Sequence, residues 1–293
     1  MRSIRKLYFR NAAGERFGLN GEKGVYATGI SGLGFTLTPT YADLGRGFFV
    51  PVSDEAEPQG AVPFTVVFTR NPYQTYQAFV NWLTAAGTVT VVYNPTGTQE
   101  YYRDVTINFI QKGELNAVGW LEVPCSFFCN TPWYLPRPTS LTLEATGTDE
   151  SKRYDYEYTE DLIYGTDSSA SLSGPIAGAG HVPGALELTY HGAITNPRIR
   201  LVGDVSGKTY GICSVSVVLL ATDSLKVSTR YENSYVKRVA AGGAETDLLD
   251  ALDLSTTPFF HIPVDEPCTI SIEADSPFTG SADLLVYYYY RSV

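Results

Sequence analysis

The chain has 293 residues, 44% hydrophobic and 13% aromatic, with 27 glycines, 17 prolines and a single methionine. That length exceeds one small core and fits two domains of ordinary size, and the apolar content excludes wholesale disorder. Residues 1–134 carry ten Lys/Arg and ten Asp/Glu, whereas residues 135–293 carry eleven and twenty-one, so the net charge of −10 lies wholly in the second half, which argues against that half gripping nucleic acid or an anionic membrane.

No run approaches the roughly 18 apolar residues of a membrane-spanning helix. The basic N-terminus "MRSIRKLYFRNAAGERF" has no apolar stretch behind it, so no secretory signal is expected. Four cysteines are too few for a disulfide scaffold and point to assembly in a reducing cytoplasm.

In chain order, residues 4–9 and 16–19 flank a turn with Gly14 and predict an opening hairpin. "LGFTLTPTY" and "PFTVVFT" alternate with period two and predict strands. About eighteen residues, "DLGRGFFVPVSDEAEPQG", separate them. That is long for a connection inside a compact domain, so residues 42–62 are expected to be a mobile tip or an arm that packs on a neighbour.

One helix is predicted, at about 72–86. Asn71 suits the N-cap, Pro72 the first helical position, and Gly87 the end. Tyr76, Phe79, Val80 and Leu83 follow the i, i+3, i+4, i+7 rule of one buried stripe. Strands resume at "TVTVVY", "DVTINFI" and "WLEVPCSFFC". The first half therefore reads as a β-barrel or strongly curved sheet carrying one helix.

In the third of these strands Leu121, Val123, Cys125, Phe127 and Cys129 share a face, with Glu122, Ser126 and Asn130 on the other. Both cysteines continue an apolar row, where free cysteine acts as a small hydrophobe. Zinc would need further ligands at matching spacing. A disulfide between i and i+4 of one strand would have to span roughly 13 Å, about double what the bond permits.

"NTPWYLPRPTS" then reads as a stiff linker, residues 134–140, between domains 1–133 and 141–293. Pro132, Trp133, Tyr134, Pro136 and Pro138 mark that boundary. Beyond it come "LTLEA" and "YDYEYT", then "GTDSSASLSGPIAGAGHVPG", which is small and polar and is expected to be a loop or disordered excursion rather than an element. Seven strands follow closely: "ALELTY", "PRIRLV", "GICSVSVVLL", "SLKVSTRY", "SYVKRVA", "TISIEA" and "ADLLVYYYYR". Their spacing indicates an antiparallel sandwich. The last is apolar on both faces, Leu285, Tyr287 and Tyr289 against Val286, Tyr288 and Tyr290. Such a strand is either covered on both sides within the chain or pressed against another subunit.

No catalytic constellation is expected. His181, His191 and His261 lie far apart, "GISGLG" lacks dinucleotide-binding order, and "GPIAGAG" has no following Lys-Ser/Thr. The best enzymatic case is a carboxylate pair of a glycosidase among Glu157, Glu160, Asp161, Glu187 and Glu273. A lectin-like module would instead stack sugars on Tyr154, Tyr156, Tyr158 or Trp133.

The ordered series "KLYFRNAAGERFGLN", "GLGFTLTP", "NPYQTYQAFVNWL", "FFCNTPWY", "GALELTYHGAITNPRIRLVG" and "TISIEADSPFTGSADLLVYYYY" resembles the distal tail proteins of tailed phages and prophages of Gram-positive hosts. The resemblance spans essentially the full chain, and "TPWY" and "NPRIRL" are its most telling parts. It implies an N-terminal barrel-like domain with one helix, assembling as a ring of six, and a galectin-like β-sandwich outside the ring. It further implies a structural hub at the distal end of the tail, assembled in the host cytoplasm. The hub would join the tail tube to tail-tip, receptor-binding or other baseplate proteins, with no catalysis, cofactor, nucleic-acid binding or membrane. Family members with an inserted sugar-binding module carry it in a loop, and the loops at 42–62 and 160–184 are too short for one. Phe48, Phe49 and Val50 of the arm, with Tyr287 and Tyr289 of the last strand, are the expected intersubunit contacts.

Overall fold

The computed structural model describes residues 5–31, 33–34, 36–37, 40–43, 49–53, 56–57, 61–146, 169–275 and 278–293. The chain forms two compact units, residues 1–135 with 290–293, and residues 136–289. Both are antiparallel β, and the described residues contain one α-helix, too short and polar to cross a membrane.

In the first unit the strands are β1 (Lys6–Asn11), β2 (Arg16–Gly18), β3 (Val25–Thr28), β4 (Thr36–Leu37), β5 (Thr40–Asp43), β6 (Phe49–Ser53), β7 (Ala56–Glu57) and β8 (Val62–Phe68). Helix α1 (Pro72–Ala85) follows, then β9 (Val89–Asn94), β10 (Tyr101–Ile110), β11 (Leu121–Cys129) and β12 (Trp133–Ser140). The sheet runs β2-β1-β9-β10-β11-β8-β3, and β12 takes over from β11 along β10 at the pair Tyr102–Tyr134. It curls strongly. Phe9 on β1 and Phe64 on β8 lie four strands apart, about 19 Å in a flat sheet, yet their ring centroids are 5.9 Å apart.

Of the two architectures expected, the structure has the curved open sheet and no closed barrel. Among the described residues, the segment after β2 bridges edge strand β3 back to β1. Leu19 donates to the Leu7 carbonyl at 3.1 Å and accepts from Ala27 N–H at 3.0 Å. The concave face holds Phe9, Phe64, Val66, Phe68, Val91, Val123, Cys125 and Phe127, and α1 caps it with Phe79. Burial of such a face supplies most of the folding drive at about 25 cal/mol per Å².

The helix lies where expected, but its start differs. Asn71 makes no capping hydrogen bond and takes a left-handed φ of 44°. Its carbonyl accepts from Thr75 N–H at 2.9 Å while the Thr75 hydroxyl turns back to Arg70 O. Of the predicted stripe only Phe79 is fully buried; Tyr76 and Leu83 are partly buried against the core, and Trp82 joins them. Gly87 adopts a φ of 67°, the left-handed turn that ends the helix.

The expected linker is itself strand β12, and the units divide inside it, between 135 and 136. Trp133 is fully buried, with its indole N–H donating to Leu33 O at 3.0 Å. The chain enters the second unit only after that anchor.

The second unit contains β13 (Thr142–Thr146), β14 (Ser169–Ile176), β15 (Val182–Thr195), β16 (Arg198–Gly203), β17 (Thr209–Ser214) and β18 (Val218–Leu219). These are followed by β19 (Ser224–Arg230), β20 (Asn233–Val239), β21 (Glu245–Asp247), β22 (Cys268–Glu273) and β23 (Thr279–Tyr290). One sheet runs β13-β14-β22-β16-β17, and a second places β23-β15-β19-β20-β21 in order with β18 on β15. Leu172, Ile199, Leu201, Ile270 and Ile272 of the first and Leu186, Leu188, Val227, Leu284 and Val286 of the second are buried, the pattern of a sandwich. Gly211 is required there: a β-carbon would stand 2.3 Å from Phe260 Cβ.

One expectation is overturned. The stretch from Gly165 to Gly184 is not all loop, because Ser169–Ile176 is β14, paired on both edges with β13 and β22. Its buried row has only Leu172 and Ile176 as large apolar side chains, diluted by Gly174 and set among serines, and backbone pairing from both neighbours completes the strand.

Glu266 clamps the β16–β17 turn. Its carboxylate accepts from the Tyr210 hydroxyl, from Ser206 N–H at 3.0 Å and Ser206 O–H at 2.8 Å, and from Val205 N–H at 3.3 Å. These bonds, the Tyr210 hydroxyl foremost, hold its carboxyl at about 2, below the ordinary 4.5. A depressed carboxyl contributes stability above its unfolded value and loses it as pH falls through the folded one. The melting-temperature gap between the wild-type chain and Glu266→Gln should therefore be full near neutral pH and close as pH drops from about 5 to about 2. A gap independent of pH would show that the charge is not used.

Candidate interaction surfaces

The predicted contact residues fall in three places. Phe48 lies outside the described residues. Phe49 and Val50 are on β6, opposite Asp43 and Ala42 of β5. Strands β4 and β7 pair as well, and among the described residues these two ladders pair with nothing else. The expected arm is therefore built as a β-hairpin. Tyr287 and Tyr289 are buried in their own chain, 6% and 2% exposed. The Tyr287 hydroxyl donates to Glu187 at 2.9 Å, and the Arg230 guanidinium lies 4.5 Å above its ring. Burial, with Glu187 beside it, raises the Tyr287 pKa. Of the two readings of the last strand, cover within the chain holds for these tyrosines, which leaves them little surface to offer a neighbour.

Among the boundary residues, Trp133 and Tyr134 are buried, Pro132 and Pro136 half-buried, and Pro138 exposed. Tyr134 stacks on Tyr102 at 5.8 Å and donates to Asp104 at 2.9 Å. A buried Trp133 cannot stack a sugar. The tyrosines at 154, 156 and 158 and the carboxylates at 157, 160 and 161 lie outside the described residues. Glu187 is engaged by Tyr287 and by Arg230 at 3.5 Å, whereas Glu273 stands on the opposite sheet beside Arg198. They do not form a facing pair.

One polar trio does assemble. His191 Nδ1 lies 3.0 Å from Ser224 Oγ, and its Nε2 lies 3.5 Å from Asp283 Oδ2. The Asp283 side chain is 89% exposed. Water screens the ion pair, and nothing fixes the imidazole as a buried acid does in a hydrolase.

The cysteines pack. Cys125 is buried, and burial pushes its thiol up to about 12. Cys129 is half-buried and also raised by burial. All four cysteines are free thiols, and no three potential ligands cluster among the described residues.

A surface that sequence reading missed is the outer face of the β10–β11 hairpin. Register sets Thr106 opposite Phe128 and, past a bulge between Ile107 and Phe109, Phe109 opposite Ser126. Phe109 and Phe128 thus share the outward face, each 44% exposed. The connection adds exposed Leu115, Val118 and Trp120. Asn116 Oδ1 shapes it by accepting from Val118 N–H and Trp120 N–H at 3.1 and 3.0 Å. Trp120 meets Tyr26 edge-on at 6.4 Å. The connection is tied to the helix where Tyr73 O–H donates to Glu114 at 2.8 Å. The available signal was Phe128 in an otherwise polar outward row. A patch of this kind is suited to protein contact.

Residues 6–130 match the family profile "Distal tail protein, N-terminal domain". No curated protein sequence matches the chain. Among solved structures, it is similar to a chain of the phage P2 baseplate in its activated conformation with calcium. The TM-score is 0.68 and the identity 15%, covering 99% of this chain and 100% of that one. The strontium form gives 0.67 and 16% with the same coverage. The phage SPP1 Dit protein, described as a paradigm of the hub adsorption apparatus in phages infecting Gram-positive bacteria, gives 0.58 and 10%, covering 97% and 98%. At these identities the likeness is one of fold. Residues 6–130 thus match the N-terminal domain profile of distal tail proteins, and the whole chain shares its fold with the phage P2 baseplate chain and the phage SPP1 Dit protein.

Proposed function

We propose that this chain is a structural hub at the distal end of a phage tail. Its first unit assembles into a ring of six, and the galectin-like second unit hangs outside. The ring joins the tail tube to tail-tip, receptor-binding or other baseplate proteins, and assembly takes place in the host cytoplasm. The carrying observation is the distal-tail match over nearly all of the first unit, joined to a fold shared over the whole chain. The role needs no catalytic group, cofactor, nucleic acid or membrane; complementary surfaces suffice. The balanced charge of residues 1–134 supports it, because copies that pack closely do not repel. Native mass spectrometry of the purified chain should give a species of six protomers. A lone protomer at high concentration would sink the proposal.

The arm takes part in this reading. A two-stranded hairpin is marginal by itself in water, and 42–62 is rich in Phe and Val at its centre. It gains cover by packing on the next copy. Deleting residues 47–60 should reduce the oligomer to smaller species by light scattering, and an unchanged mass would remove the arm from the contact.

A further inference from the structure

Helix α1 has a composition unusual for a helix that faces water. None of its fourteen residues is charged. The charge-free run continues from Asn71 to Gln99, the longest in the chain. Yet Gln74, Gln77, Ala78, Asn81, Thr84 and Ala85 are exposed and, at i, i+3 and i+4 spacing, form one outward face. The helix also forgoes the usual electrostatic aids, with no acid in its first turn, no base in its last and no side-chain cap. Phe79 alone fixes it deeply to the core.

Such a face is poorly built to stay in water and well built to leave it. Moving a charged side chain into an interface carries a large desolvation cost. Ala carries none, and Gln, Asn and Thr can exchange water for partner hydrogen bonds. Part of that pairing is already internal: Gln77 Nε2 donates to Asn81 Oδ1 at 3.0 Å and Thr84 O–H to Val80 O at 2.9 Å. Interface centres are depleted of charge in the same way.

We propose that the outward face of α1 is an intersubunit contact, covered by the first unit of a second copy whose β10–β11 face, with Phe109 and Phe128, supplies the apolar counterpart. The inference rests on the ring reading and specifies its contact. Three observations select this occupant. A face without charge offers nothing to nucleic acid or an anionic membrane. The first half of the chain is neutral, whereas the second carries the whole excess of acid. Finally, a ring is a head-to-tail assembly and needs two different surfaces on each copy. Besides the arm, the described residues of the first unit offer such a pair: the charge-free helix face and the aromatic sheet face.

The test places two charges on the helix face, Gln77→Lys with Asn81→Lys, and separately removes the aromatic partner with Phe128→Ser. Native mass spectrometry is run across concentrations, with circular dichroism confirming the fold. A control carries Ala221→Lys and Thr222→Lys, both exposed on the second unit. The wild type and the control should form the ring, while the helix variant and Phe128→Ser should need at least tenfold more protein to do so. A helix variant that assembles like the wild type overturns this contact while leaving the ring intact. Dissociation of the control as well would also overturn it. A monomeric wild type overturns the ring reading itself.

Discussion

Replacing Trp133 by alanine should lower the unfolding free energy by about 3–5 kcal/mol, the range for deleting a large buried aromatic. Trp133 is the largest fully buried side chain among the described residues. Its ring lies 5.8 Å from Tyr93 and 5.4 Å below the guanidinium of Arg103, which is itself buried and donates to Thr131 O at 2.8 Å. Removing the indole leaves a cavity, uncovers a cation and strips the Leu33 carbonyl of its donor. Trp133→Phe separates these effects, because it keeps most of the apolar volume and loses only the N–H, at about 1–3 kcal/mol for an unsatisfied buried acceptor. Urea titration followed by circular dichroism measures both. Equal midpoints for wild type and Trp133→Ala would show that the residue is not the anchor between β11 and β12. The consequence reaches function, since this residue holds the last turn of the first unit before the chain leaves it.

Phe79→Ala should cost a similar amount, about 3–5 kcal/mol, by a different route. Phe79 is the only fully buried residue of α1 and sits 5.0 Å from Phe17, 5.8 Å from Phe68 and 6.4 Å from Phe9. Those rings come from β1, from β8 and from the segment Arg16–Gly18, so one side chain ties the helix across the curl of the sheet. With neither cap nor charge to support it, a helix of this length is marginal in water once detached. The far-UV spectrum of Phe79→Ala should therefore lose its helical component at a lower denaturant concentration than its sheet component. A single coincident transition at the wild-type midpoint would refute the assignment.

Period explains most of what was legible. Alternation placed β8 and β11, and the 3.6 repeat placed α1, because these patterns arise wherever an element has one wet and one dry side. The row Leu121, Val123, Cys125 and Phe127 was readable for that reason, and so was the inertness of Cys125. Two kinds of feature were not legible. Strand β14 has a diluted code, Leu172 and Ile176 separated by Gly174 among small polar residues, and it is completed by β13 and β22, which present backbone donors and acceptors to both of its edges. The outward face of Phe109 and Phe128 depends on a bulge between Ile107 and Phe109, and one residue of register decides which side chains share a face.

Local chemistry, then, was set by the amino-acid order alone: where the helix and most strands lie, which rows are apolar, and that α1 carries no charge. Tertiary structure decided cover. Tyr287 and Tyr289, expected at an intersubunit contact on a strand apolar on both faces, are buried within their own chain, while the outward uncharged residues of α1 are left in water. The reason is physical: periodicity records which side of an element prefers to be dry, but whether anything lies over that side depends on chain segments far away in the sequence and, in an assembly, on another copy.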